Sequence, residues 1–222
     1  MKKLIFLLLM IVSFSICAEG SGDKKNSEDK RTIVATVTME NGERKKLIKT
    51  IGYYPGMEIE YVSEQIDGED EEKWTWYFSN GTVMLTGTRS SMGNIGKWTK
   101  YYGNGKIQNE IYFNDLGERM DNLYATYYPN GQLAVKQTPT LMEKYDPDGN
   151  LQTSKEYEFL PNGDSIPNGK YEEYENGKLV VKGRYVQGKE DGMWYWYDKE
   201  GKIRYIGLFN NGVLENPDQI DE

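Results

Sequence analysis

A run of aromatic residues followed by a turn dipeptide recurs along most of this chain, and that recurrence limits the architectures open to it. WTWYFSNGTV starts at Trp74, WTKYYGNGKI at Trp98, YATYYPNGQL at Tyr124, MEKYDPDGNL at Met142, YEEYENGKL at Tyr171 and WYWYDKEGKI at Trp194. Aligned on their first residues, all but the Tyr171 copy place a tyrosine three residues in (Tyr77, Tyr101, Tyr127, Tyr145, Tyr197), glycine eighth and an aliphatic residue tenth. The Tyr171 copy is one residue shorter before its glycine.

Each copy predicts a β-hairpin. Asn-Gly stands at Asn41, Asn80, Asn104, Asn130, Asn162, Asn168, Asn176 and Asn211. That pair suits a type I′ turn, which needs φ > 0 at both central residues and twists to match antiparallel strands. Trp, Tyr, Phe, Thr and Val crowd the strand before each turn, and Lys, Ile, Val or Leu follow it. No helical period competes, and 24 glycines undercut helix propensity. Tyrosine (18) far outnumbers phenylalanine (6), and runs such as Trp74–Phe78 and Met193–Tyr197 put rings on both faces. A two-sheet sandwich with one polar face does not suit that pattern. The expectation is an all-β fold: an elongated single-layer antiparallel meander of hairpins that stack their rings and contact mainly their neighbours.

These segments resemble the MORN-variant repeat, whose core is a Tyr/Trp-rich strand, an Asn-Gly turn and a Gly-x-x-x-G-x-W/Y junction. The junction stands here as Gly183-Arg184-Tyr185-Val186-Gln187-Gly188-Lys189-Glu190-Asp191-Gly192-Met193-Trp194. The resemblance spans roughly residues 70 to 215, is best at Trp98, Tyr171 and Trp194, and is weakest at Met142. It implies a bacterial exported or lipid-anchored repeat protein, some relatives being labelled antitoxins of the YwqK type. The repeat serves many roles, so it implies fold more strongly than function.

The N-terminus reads as an export signal: Lys2 and Lys3, an apolar run from Leu4 to Val12, then the small residues Ser13, Ser15 and Ala18. Phe14-Ser15-Ile16-Cys17 resembles a lipobox, with Phe14 and Ile16 departing from its usual Leu and Gly/Ala; Cys17 is then the lipid attachment site. Ordinary cleavage near Cys17 or Ala18 is the alternative. The organisation follows: a signal peptide over 1–17, a flexible linker over 18–31, a capping β segment over 32–72, the hairpin repeats over 73–215 and an acidic tail over 216–222.

Composition removes whole classes of chemistry. Histidine is absent and Cys17 is the single cysteine, so catalytic triads with an imidazole, HExxH zinc chemistry and an intrachain disulfide are excluded. Without the segment through Ile16 the chain carries 25 basic and 35 acidic residues, a net charge of −10. Nucleic acid and anionic lipid surfaces repel such a chain. Asp146, Asp148 and Asn150 begin a calcium-loop spacing, yet Leu151 and Tyr157 stand where that loop needs Gly and Glu, so a hairpin turn is expected there. The acidic run Asp67–Glu72 reads as a solvated boundary loop, and paired carboxylates for glycoside hydrolysis have no recognisable setting.

No cofactor, metal or catalytic residue is therefore expected. Trp76, Trp98, Trp194 and Trp196 are the candidate binding residues, because exposed rings stack on sugars or anchor proteins; the competing reading makes these rings the core, aliphatics being sparse. The functional expectation is an envelope-associated, non-enzymatic protein that binds a protein partner, with a glycan second. The alternatives are an immunity or antitoxin-like role against a basic toxin and, more remotely, a carboxylate hydrolase.

Overall fold

The computed structural model describes residues 30–39 and 41–219. The signal peptide, Cys17, most of the linker and the last three residues of the acidic tail lie outside the described residues. The fold is all-β, with no helix among the described residues. The described residues pack as two units, divided between Asn94 and Ile95.

The first unit contains β1 (Lys30–Thr38), β2 (Arg44–Tyr53), β3 (Ile59–Ile66), β4 (Glu72–Tyr77) and β5 (Val83–Ser90). The second contains β6 (Gly93–Tyr101) from Ile95 onward, β7 (Ile107–Phe113), β8 (Arg119–Tyr127), β9 (Leu133–Gln137), β10 (Leu141–Tyr145) and β11 (Leu151–Phe159). It continues through β12 (Ser165–Glu175), β13 (Lys178–Val186), β14 (Lys189–Tyr197), β15 (Ile203–Asn210) and β16 (Val213–Gln219). Within each unit the strand order is the sequence order and the pairings are antiparallel, giving an open meander of hairpins. The predicted capping segment is made of regular strands, and β16 takes in the first residues of the predicted tail.

The turns differ from the expected type I′ at most Asn-Gly sites. Gly81, Gly105, Gly131 and Gly163 have φ of 81°, 81°, 89° and 93°, while the asparagines before them are not in the left-handed region. In the first of these Gly81 N–H donates to the Phe78 carbonyl and Phe78 N–H to the Thr82 carbonyl, both at 2.8 Å. This is a type I turn closed by a left-handed glycine, the usual solution for a three-residue hairpin loop. Asparagine has another task there. Its Oδ1 accepts the N–H two residues on, as Asn80 does from Thr82 (3.0 Å) and Asn104 from Lys106 (3.0 Å). The Tyr171 copy, one residue shorter, does form the two-residue turn, with Asn176 at φ 50° and Gly177 at 75°. Loop length selected the turn.

The turns are also stitched to one another. The first residue of a turn sends its hydroxyl to the carbonyl that ends the next aromatic strand: Tyr102 to Tyr127 at 2.7 Å, and Tyr128 to Tyr145 at 2.9 Å. Asn104 and Asn130 add bonds to the Pro129 and Pro147 carbonyls at 3.0 and 2.6 Å. In the first unit Tyr54 reaches the Tyr77 carbonyl at 2.7 Å.

Tyr54 reveals a copy that the sequence hid. Tyr53-Tyr54-Pro55-Gly56-Met57-Glu58-Ile59 follows Tyr127-Tyr128-Pro129-Asn130-Gly131-Gln132-Leu133, with Met57 where the left-handed glycine belongs. Met57 N–H bonds the Tyr54 carbonyl at 2.9 Å, and Met57 has φ 72°. A side chain in that conformation costs about 1–2 kcal/mol. Met57 is exposed and packs little. Met57→Gly should therefore raise stability by about 0.5–1 kcal/mol in denaturant unfolding, and Gly81→Ala should lower it by about 1 kcal/mol. A loss of stability in Met57→Gly would contradict this account of the turn.

Candidate binding surface

The aromatic strands place every second ring on one face, where bare glycines receive them. In the first unit Tyr61, 5% exposed, lies 5.2 Å from Trp74 and 4.9 Å from Trp76 between ring centroids. Its register partner is Gly52, and a Cβ there would collide with the Tyr61 ring. The Arg89 guanidinium covers Trp74 at 5.1 Å. In the second unit Trp194, 4% exposed, meets Tyr171 and Tyr185 at 5.4 Å and Phe209 at 5.8 Å. Gly183 lies directly beneath Trp194, and a Cβ there would collide with the indole. Covering one such ring removes about 150–250 Å² from water, worth roughly 4–6 kcal/mol before ordering costs.

Bulges aim the rings. Gly169 and Gly192 have φ of 118° and 71° and stand two residues before Tyr171 and Trp194. Arg184 pairs with Asp191 and Lys182 with Tyr195, so residues 192–194 together face Gly183. Residues 168–170 likewise face Glu156. The glycine of the junction motif thus sets the bulge that turns the following ring onto the glycine of the neighbouring strand.

The four candidate tryptophans divide by exposure. Trp98 (3% exposed) and Trp194 are buried, so almost none of their ring surface is left for a ligand. Trp76 and Trp196 are half-buried, Trp196 resting on Tyr205 at 4.9 Å. Cys17 lies outside the described residues. Two features carry no sequence signal of their own. Met193 and Leu208, register partners on the face opposite Trp194, are 45% and 38% exposed. A cleft of about 550 Å³ opens between the start of β8 and the tip of the β11–β12 hairpin, with Gln137, Met120 and Phe159 in its lining.

The electrostatics follow from packing. Burial pushes the Tyr171 and Tyr185 hydroxyls up to about 12, with Glu173 and Glu190 beside them adding to the shift. Burial holds the Lys155 ammonium below its usual range, over the Tyr185 ring at 4.1 Å. Asp146 is shifted down, chiefly by the Asn150 amide, because its carboxylate caps its own turn; the calcium-like spacing is a hairpin turn closed by Gly149. Among the described residues no three acidic or thiol side chains are grouped to hold a metal ion. The acidic run over 67–72 is engaged locally: Glu69 with Lys45 at 3.0 Å, Asp70 with Ser91, and Glu72 with the Trp74 indole at 2.8 Å.

Residues 95–115, 120–138 and 190–211 match the MORN repeat variant. Each match spans most of an aromatic strand, its turn and the returning strand, as β6–β7, β8–β9 and β14–β15. No curated protein matches the chain.

Two outcomes follow from the ring-on-glycine packing. The Trp194 Nε1 hydrogen is buried without an acceptor, so Trp194→Phe removes an unmet donor and should cost about 1 kcal/mol, against about 3–5 kcal/mol for Trp194→Ala. Equal losses in chemical denaturation would refute this. Tyr171 and Tyr185 are protonated more tightly folded than unfolded, so their contribution is intact below pH 10 and is lost as pH rises toward about 12. Unfolding midpoints followed with tyrosinate absorbance should fall across that window, and less steeply in Tyr185→Phe.

Proposed function

We propose that the protein acts without catalysis, by holding a protein partner against its repeat sheet at the bacterial cell envelope. One observation carries the reading: Trp98 and Trp194 are buried, but Trp76 and Trp196 keep part of their ring surface accessible, and Met193 and Leu208 are exposed. Part of the aromatic surface thus remains open beside the buried rings. Half-buried Trp76 and Trp196, and on the other face of β14–β15 the exposed Met193–Leu208 pair, offer apolar contact area among polar residues, the kind of residue that anchors a partner. The match to the MORN repeat variant, a repeat often used for binding, supports the same reading. The N-terminal signal and Cys17 fit export and lipid anchoring, with residues 18–31 as a tether.

The net charge favours a second, narrower version, an immunity or antitoxin-like role in which the acidic sheet covers a basic toxin. A co-purifying basic protein whose toxicity the chain suppresses would select it.

The test uses immobilised protein and solubilised envelope proteins. Capture of a defined partner should drop at least about fivefold with Met193→Ser and Leu208→Ser combined, since each exposed apolar anchor is worth about 1 kcal/mol. Circular dichroism should remain unchanged. Retention of nothing beyond what an acidic control protein retains would overturn the reading. Fatty-acid labelling that disappears in Cys17→Ala would establish the anchor.

A further inference from the structure

Where the Trp98, Tyr171 and Trp194 copies have a left-handed glycine two residues before the ring (Gly96, Gly169, Gly192), the Tyr124 copy has Asn122, and the sheet opens beside it. β9 and β10 are five residues each, against nine in β8 and β11, so their hairpin stops short. Pairing of β8 with β9 begins at Tyr124↔Gln137, and pairing of β10 with β11 ends at Leu141↔Glu156. On the other side of β8 the register jumps from Phe113↔Arg119 to Ile111↔Tyr124. Residues 120–123 thus lie outside both ladders. Asn122 Nδ2 donates to the Gly163 carbonyl at 3.0 Å and to Ser165 Oγ at 3.2 Å, and Ser165 Oγ donates to the Pro139 carbonyl at 2.8 Å. These bonds tie the two walls of the 550 Å³ cleft together.

The cleft has one-sided chemistry. Glu118, Asp121 and Asp164 line it with a single cation, Arg119, which Asp121 engages at 3.2 Å. Glu118 and Asp164 are held by the Asn114 and Asn162 amides at 2.8 and 2.7 Å, and neither forms an ion pair among the described residues. Phe159, 49% exposed, supplies apolar surface in the same lining. A glycan would leave both carboxylates without a counter-charge, and a second copy of this acidic chain would bring like charge to them.

We propose that this cleft receives an extended, basic segment of a partner protein. Its cations face Glu118 and Asp164, an apolar side chain rests on Phe159, and its backbone pairs with residues 120–123 by strand addition. The inference rests on the binding reading above and adds a second contact place, separate from Met193 and Leu208, with the partner's chemistry.

The probe is a fluorescent octapeptide alternating lysine and valine, titrated into the full chain. It should bind, the glutamate–valine counterpart should not, and N-methylation of alternate amides should weaken binding by at least about tenfold, because strand hydrogen bonds are lost. Glu118→Gln with Asp164→Asn should weaken binding about tenfold or more, as should Phe159→Ala. Asp67→Asn with Glu71→Gln, an equal charge change in the first unit, should leave it within about twofold. Equal losses in the two charge-neutralised pairs would overturn the proposal in favour of the general acidic field. Indifference to N-methylation would overturn strand addition, and a dimer that the cleft substitutions dissociate would overturn it in favour of self-association. If the captured envelope partner is still held by the cleft variants, the cleft assignment falls while the binding reading stands.

Discussion

A ring lying on a bare backbone is the contact on which this fold depends. A single open layer cannot bury aromatics between two sheets, so each must be covered from within its own face. Gly52 beneath Tyr61 and Gly183 beneath Trp194 let the ring lie flat on the neighbouring strand, where any side chain would lift it off. The surrounding rings then close over it at 5–6 Å between centroids. Strength comes from shape: the glycine subtracts atoms so that the tryptophan can add area.

Much of this was legible in the amino acids, and the misses have identifiable causes. The hairpin class followed from spacing, because a glycine at a fixed distance from a tyrosine leaves little freedom for the strands around it. The turn type did not follow. Asn-Gly favours two left-handed residues in isolation, yet one extra loop residue moves asparagine into a capping role and leaves the left-handed position to glycine alone. The copy at Tyr53 was hidden because Met57 occupies that position, and a search keyed on glycine passes over it.

The candidate surface was less legible still. Four tryptophans looked alike in sequence, and their separation into buried Trp98 and Trp194 and half-buried Trp76 and Trp196 depends on bulges and on neighbours distant along the chain. The cleft beside Asn122 arises from the shortness of β9 and β10, a difference in strand length that side-chain chemistry alone does not announce.

The hydroxyl links between turns all run the same way. Tyr102 and Tyr128 each donate toward a carbonyl that comes later in the chain, as Tyr54 does in its own unit. A chain appearing N-terminus first, from a ribosome or a translocation pore, thus presents each donor before its acceptor exists. Each hairpin whose turn opens with one of these tyrosines offers a waiting bond to the next, so assembly has a built-in polarity there, and a chain halted just past such a turn would end in an unmet hydroxyl at its growing edge.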